Sequence, residues 1–499
     1  MIHVIGGGLA GAEAAWQAAE LGVEVVVHEM RPVRKTAVHQ TDGLAELVCS
    51  NSFRGDKLDN AVGLLKEEMR QLGSLVMRAA DQARVPAGAA LAVDRHVFSR
   101  LVTEAVASHP RITIAREEID HVPTPESGWS PVVIATGPLT SDALSADIQR
   151  IVGAEHLSFY DAISPIVLAD SIDMSKVFRA SRWDRNVWRP PSPDGEATGF
   201  GEAGVPDKAE GRSDKAEGRS DKAADELCSH PPAPARTCSH PPAPEGDYLN
   251  CPFTKGEYDA FYDALVAAES ATVHDFDSVK FFEGCLPIEV MAYRGRDTLR
   301  FGPMKPVGLT DPKTGRFPYA VVQLRQDTLA GDHFSLVGFQ TQIKWGDQAR
   351  VLRMIPGLEH AEFVRFGMVH RNTYICGPKV LEPTWQTRFR PDLFFAGQVS
   401  GVEGYVESAA SGLLAGRNAA ALALGRAPRV LPRTTAMGAL AHYVSHAAPA
   451  HYQPSNITHG IMEPLANPPR DKARRKALIA SRALDDLREW MGEAALSGR

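Results

Sequence analysis

The stretch Ile2-His3-Val4-Ile5-Gly6-Gly7-Gly8-Leu9-Ala10-Gly11 decides the fold. A short apolar run leads into a G-x-G-x-x-G turn, and an alanine-rich segment with helical spacing follows over residues 10–21. Gly6 permits the tight turn and Gly8 lets backbone approach a pyrophosphate. Gly11 allows the helix to pack closely on the strand. The free N–H groups and dipole at the helix start then favour the phosphate charge on Gly7, Leu9 and Ala10 as well. A second apolar run at 23–28 ends at Glu29, placed 18 residues after Gly11 to accept hydrogen bonds from a ribose. Strand, glycine turn, helix, strand and acid together predict a Rossmann-type dinucleotide-binding domain.

Two more short apolar runs, 132–135 and 393–396, each lead to a glycine and read as buried parallel strands opening into ligand loops. Ile134-Ala135-Thr136-Gly137 and Phe395-Ala396-Gly397-Gln398 favour FAD over NAD, because these patterns accompany a flavin in two-dinucleotide proteins. No second G-x-G-x-x-G marks a separate nicotinamide site. The first and last of these strands share one sheet in this reading, so the chain between them holds an inserted domain. The expected class is therefore α/β, a Rossmann-type FAD-binding domain (1–145 and 325–445) interrupted by an inserted α+β substrate and RNA domain (146–324). A helical tail (446–499) follows, with apolar Leu478, Ile479, Leu484, Leu487 and Trp490 beside a basic face over 471–491.

Composition narrows the class. With 499 residues, 44% hydrophobic and 23% charged, the chain reads as an ordinary soluble protein of two or three domains. No apolar run approaches the roughly 20 residues of a membrane span. Met1 leads directly into a strand, so no signal peptide is expected. Six cysteines make no disulfide framework, and a reducing cytoplasm is the expected compartment. The net charge of −7 argues against RNA only superficially: residues 192–246 hold 11 acidic and 6 basic side chains, a net of −5, which leaves −2 for the rest. That segment carries two tandem duplications, Asp-Lys-Ala-Glu-Gly-Arg-Ser and Cys-Ser-His-Pro-Pro-Ala-Pro, and too few apolar residues to offset ordering, so 190–246 is expected to be a disordered insertion. Its Cys228 and Cys238 read as products of repeat slippage, and no metal site is expected.

The segment Ala396-Gly397-Gln398-Val399-Ser400-Gly401-Val402-Glu403-Gly404-Tyr405-Val406-Glu407 resembles the signature of the flavin-dependent tRNA-modifying proteins related to GidA. Four further segments resemble one branch of that group, the folate-dependent tRNA uracil-5-methyltransferases of the TrmFO family. They are Leu47-Val48-Cys49-Ser50-Asn51-Ser52-Phe53-Arg54, Tyr248-Leu249-Asn250-Cys251-Pro252-Phe253-Thr254, Phe282-Glu283-Gly284-Cys285-Leu286-Pro287-Ile288-Glu289 and Phe301-Gly302-Pro303-Met304-Lys305-Pro306-Val307-Gly308-Leu309. The resemblance covers the chain outside 190–246.

It implies transfer of a methylene from 5,10-methylenetetrahydrofolate to C5 of uridine 54 in the tRNA T-loop. FAD in its reduced form completes the methyl, and NADH or NADPH resets the flavin. It also implies catalytic roles for Cys49 and Cys251, and a cofactor site that takes in Gly137, Gly397, Gln398, Glu403 and Gly404. The chemistry suits two thiols: uracil C5 becomes nucleophilic only after a thiolate adds at C6, and a second group assists proton removal from C5. Cys251, flanked by Asn250 and Pro252, reads as a turn residue and the expected C6 nucleophile, with Cys49 as its assistant near the flavin; the residues alone leave that order open. Cys285 reads as structural or substrate-lining, Cys376 as structural. For RNA, Arg294, Arg296, Arg300 and Lys305 with Tyr293 and Phe301 form one candidate surface, and Arg474 and Arg475 another. Three alternatives stand beside this reading. They are the same chemistry on ribosomal RNA, a GidA-like wobble-uridine role, and an RNA-binding flavin scaffold without chemistry.

Overall fold

A computed structural model of the chain describes residues 1–36, 38–153, 157–162, 164–184, 246–270 and 286–497, with the backbone alone for 157–162, 184, 369–373, 451 and 493–497. The 190–246 insertion up to residue 245, Cys228, Cys238 and Cys285 lie outside the described residues.

Ile2–Ile5 is the central strand of a five-stranded parallel sheet. On one side it pairs with Val25–His28 and, beyond that, Ile112–Ala115; on the other with Val132–Ile134 and then Leu393–Phe395. Ile2, Val4, Val27, Val132, Val133, Ile134, Leu393, Phe394 and Phe395 are all closed to solvent. Covered on both faces, these strands carry no polar alternation, and this is why they read as continuous apolar runs. The expected α/β class, and the joining of strands separated by most of the chain, are borne out.

Helix Leu9–Glu20 covers one face of the sheet and lies against helix Tyr405–Ala423. Their contact is built from missing side chains. A Cβ on Gly412 would fall 2.1 Å from the Ala10 carbonyl oxygen, and one on Gly416 would fall 2.3 Å from that of Ala14. Only glycine on one helix and alanine on the other let the two backbones approach so closely. The buried carboxylate of Glu13 crosses to a third helix, Leu75–Gln82, where it accepts from Ser74 Oγ at 2.8 Å and Val76 N at 2.8 Å. Burial pushes the Glu13 carboxyl above its ordinary range. Glu68 holds the amides of Ala436 and Met437 at the start of Ala436–His446 in the same manner, at 2.7 and 2.8 Å.

The second layer is a six-stranded antiparallel sheet, ordered Phe178–Ala180, Tyr248–Phe253, Ala320–Gln326, His333–Leu336, Ile166–Leu168 and Phe363–Arg365. One face buries Leu249, Cys251, Phe253, Val322, Leu324 and Phe334 against helix Lys255–Val266. The boundary expected at residue 324 is therefore corrected: 325–365 supplies strands and helix to this second sheet. Ala320–Gln326 carries Gln323, Arg325 and Gln326 where Leu393–Phe395 is wholly apolar, yet a strand's sequence does not say which sheet it joins. The tail is also more integrated than expected. Helix Lys472–Ser497 buries Ile479, Ala480, Ala483, Leu487 and Trp490 on the first core, while Leu478 is exposed.

Gly412→Val should force the two helices apart and cost about 1–3 kcal/mol. A lower urea midpoint with an unchanged denaturant slope checks it.

Candidate active site

The parallel sheet ends in a cleft that is partly open to solvent. Gly6 turns the chain with φ +103°, and helix Leu9–Glu20 starts at Gly8 with no side chain capping its amides. No atom lies within 4 Å of where a Cβ on Gly8 or Gly137 would stand, so backbone is open to a ligand at both. Gly11 does not line the cleft; a Cβ there would fall 1.8 Å from the Gly6 carbonyl oxygen, and its role is to let the helix close on the turn. The open glycine backbone and the uncapped amides fit the pyrophosphate of FAD.

Of the expected cofactor residues, Gly6, Gly7, Gly8, Leu9, Ala10, Glu29, Gly137, Gly397 and Gln398 line this cleft. Glu403 and Gly404 shape it from behind: Glu403 accepts from Gln398 Nε2 at 2.6 Å, and Gly404 with φ +107° opens the helix Tyr405–Ala423. Glu29 is more engaged than a free ribose acceptor. Its Oε2 accepts from Gly7 N at 2.9 Å, and its Oε1 accepts from Arg31 N at 3.0 Å and Arg31 Nε at 2.8 Å. A carboxylate has about four acceptor positions, so capacity for a hydroxyl remains. Burial pushes the Glu29 carboxyl up, but the Arg31 guanidinium and the two amides outweigh it and hold it below its usual value. Arg31, Val48, Glu117, Thr140, Tyr405 and Ser408 also line the cleft and were not expected there. Tyr405 was visible within the late signature; Glu117, following the strand Ile112–Ala115, carries no local signal.

The two cysteines have different surroundings. Cys49 is half-buried on the segment 47–51, whose residue Val48 lines the cleft. The amides of Cys49 and Ser50 both donate to the Tyr405 hydroxyl, at 2.8 and 3.1 Å. Arginines from three elements hold the same segment. Arg95 donates to Leu47 O at 3.1 Å, Arg365 to Val48 O at 2.5 Å, and Arg325 to Asn51 Oδ1 at 2.7 Å and Ser50 Oγ at 3.3 Å. Sequence reading missed all three, since each reaches this loop from a remote strand or helix.

Cys251 is not in a turn. It lies inside the strand Tyr248–Phe253, opposite Val322, and is fully closed to solvent. Pro252 misled the reading: the neighbouring strand Phe178–Ala180 ends its pairing at Asn250, so Pro252 sits on a local edge where no ladder donor is needed. Burial pushes the Cys251 thiol well above its ordinary range. The structure thus puts Cys49 between cleft-lining Val48 and its partner Tyr405, and Cys251 in an apolar core. Cys376 is buried beside Tyr374 and Tyr452, and burial raises its thiol too.

The expected RNA-contacting group is partly neutralised. Arg296 pairs with Asp259 at 3.2 Å and with Asp263, its guanidinium 4.4 Å from the Tyr262 ring centroid. Arg300 pairs with Asp297 at 2.7 Å and lies 3.7 Å from the Tyr319 centroid. Arg294 and Lys305 are exposed, as are Tyr293 and Phe301, the last at 81%. None of the four basic residues lines the cofactor cleft.

Fold and cleft together define a flavoprotein of the FAD-binding Rossmann class with a thiol-bearing segment held at the cofactor cleft. The family model for glucose inhibited division protein A matches residues 1–190 and 235–427. The chain is 52% identical to Methylenetetrahydrofolate--tRNA-(uracil-5-)-methyltransferase TrmFO of Pelotomaculum thermopropionicum, covering 97% of each chain. It is 53% identical to the protein of the same name from Symbiobacterium thermophilum, over 98% of this chain and 96% of that one. Among solved structures, Aquifex aeolicus GidA superposes with a TM-score of 0.63 at 17% identity, over 98% of this chain and 73% of that chain. The chain belongs to the TrmFO family, within the GidA-related flavoproteins.

Because Glu29 is held below its usual pKa of 4.5, its contribution is present above that pH and fades as pH falls through the lower folded value. Glu29→Gln should bind FAD about tenfold more weakly at pH 7, and the difference from the parent should shrink on acidification below about pH 4.5. Visible flavin absorbance after gel filtration, followed against pH, measures both.

Proposed function

We propose that this protein methylates C5 of uracil in tRNA, using 5,10-methylenetetrahydrofolate as the one-carbon donor and FAD as the redox cofactor. Identity of about 50% over nearly the whole chain to proteins of that name carries the reading. The thiol-bearing segment beside the dinucleotide cleft supports it on physical grounds. The finer assignments belong to the same proposal: uridine 54 of the T-loop as target, NADH or NADPH as the reductant, and the cytoplasm as compartment. Among the described residues no helix is long and apolar enough to cross a membrane, and no cluster of His, Cys, Asp or Glu suits a metal ion.

When bound, FAD supplies the electrons that turn a transferred methylene into a methyl group. The chain's own residues orient and enclose. Gly8 and Gly137 present bare backbone to the dinucleotide, Gly6 lets the turn close against Ala135, and Gln398, fixed by Glu403, stands where the late strand meets the cleft. Cys49 is the thiol next to cleft-lining Val48, its amide fixed by Tyr405. Cys251 enters the chemistry only when its apolar cover opens, because a buried thiol with a raised pKa neither ionises nor meets a substrate. The proposal keeps both cysteines in the reaction. Arg294, Arg296, Arg300 and Lys305, with Phe301, are the proposed RNA contacts; aspartates pair with Arg296 and Arg300.

The deciding experiment incubates FAD-loaded protein with unmodified tRNA, methylenetetrahydrofolate and NADH, then measures 5-methyluridine by mass spectrometry. Cys49→Ala and Cys251→Ala should each abolish product; absence of product in the parent, or full activity in both variants, refutes the reading. A brief iodoacetamide pulse on the folded protein, mapped by peptide mass, should label Cys49 and spare Cys251.

A further inference from the structure

The surroundings of Cys49 carry more positive than negative charge. Arg95 opens helix Arg95–Ser108, Arg325 lies on Ala320–Gln326, and Arg365 ends Phe363–Arg365. All three donate hydrogen bonds to residues on either side of Cys49: Arg95 to Leu47 O, Arg365 to Val48 O, and Arg325 to Ser50 Oγ and Asn51 Oδ1. Arg325 is 9% exposed, and the Arg95 side chain 10%. Asp327, 2.8 Å from Arg95 Nη2 and itself buried, is the carboxylate that answers them among the described residues named as their partners. Three guanidiniums against this one carboxylate put an excess of positive charge beside the thiol-bearing segment, which reaches the cofactor cleft through Val48.

Taking such charge out of water is costly without a compensating anion. Carbonyl and amide oxygens of Leu47, Val48 and Asn51 satisfy part of the hydrogen-bonding demand, but they are dipoles and do not cancel the charge. The Tyr405 hydroxyl accepts two amides from the same segment, which fixes Cys49 relative to the arginines. We infer that Arg95, Arg325 and Arg365 form an oxyanion-stabilising cage around Cys49, positioning residues that hold negative charge at this end of the cleft.

The inference deepens the proposed function and rests on it for the identity of the anion. Addition of a thiolate to C6 of uracil shifts the ring electrons onto the O4 enolate; when C5 then attacks the folate methylene, opened to its iminium, those electrons form the new C–C bond and the C=N pair returns to the folate nitrogen. The cage suits that transient oxyanion. A phosphate of the target nucleotide has the same chemistry but carries a standing charge, so the two differ in which kinetic constant they move.

The test compares alkylation of Cys49 by anionic iodoacetate and by neutral iodoacetamide in the FAD-loaded protein, with Cys49 read by peptide mass. The ratio of the two rates cancels thiolate fraction and most steric effects, leaving local potential. It should exceed that of glutathione in the same buffer by about three- to tenfold and fall with added salt. Arg365→Gln should lower it by a similar factor, and Arg365→Lys should retain most of it. Equal ratios in parent and Arg365→Gln, with both folded and flavin-loaded, overturn the cage. So does an equal fall in both rates, which marks simple misplacement of Cys49. In the methylation assay Arg365→Gln should lower kcat with KM for tRNA unchanged; a rise in KM alone assigns the charge to phosphate and overturns the enolate assignment. A parent without methylation activity sinks the proposed function and leaves the alkylation ratio to judge the cage.

Discussion

The close approach of helices Leu9–Glu20 and Tyr405–Ala423 is the contact on which the rest of the molecule depends. Gly412 and Gly416 stand where any side chain would strike the Ala10 and Ala14 carbonyls. That contact brings the first cofactor motif to the last one, although some 400 residues separate them, because Gly397 then falls beside Ala10. Parallel pairing of Val132–Ile134 with both Ile2–Ile5 and Leu393–Phe395 closes the same join from within the sheet. A dinucleotide cleft follows without any further device, since three strand ends and an uncapped helix start meet at its floor.

The segment 47–51 links that cleft to the second sheet. Its amides are held by Tyr405 from the first layer, its carbonyls and polar side chains by Arg325 and Arg365 from the second. Asn51 adds bonds to Val93 O and Gln326 O, both at 3.0 Å. The nearby Arg54–Glu407 ion pair ties the following strand Ser52–Gly55 to the same late helix, and Lys66 donates to the carbonyls of Phe53 and Gly55 at 3.1 and 2.8 Å.

Much of the fold was legible because its signals are local. The G-x-G-x-x-G turn needs backbone that only glycine supplies, strands covered on both faces need unbroken apolar runs, and the late signature begins where its strand ends. The inserted sheet was legible as an insertion but not in extent, since strand partners are set by long-range pairing and not by the strand's own residues. Cys251 was misplaced for a related reason: Asn and Pro mark turns in general, yet Asn250 is buried with four side-chain bonds and Pro252 lies just past the neighbouring strand's pairing.

By itself the sequence determined a Rossmann-type flavoprotein with an inserted domain and named the two thiols as the residues to examine. Backbone dihedrals, helical period and strand burial act over a few residues, so a linear reading reaches them. Only the tertiary structure decided that Glu29 is locked to Arg31 and Gly7, that Cys251 is closed in an apolar core, and that three arginines surround Cys49. The contacts around Cys49 join residues hundreds of positions apart, such as Cys49 with Tyr405 or Asn51 with Arg325, whereas Glu29 meets Arg31 and Gly7 within the first 31 residues. Their energies arise from burial and charge proximity, and no local pattern in the chain encodes either.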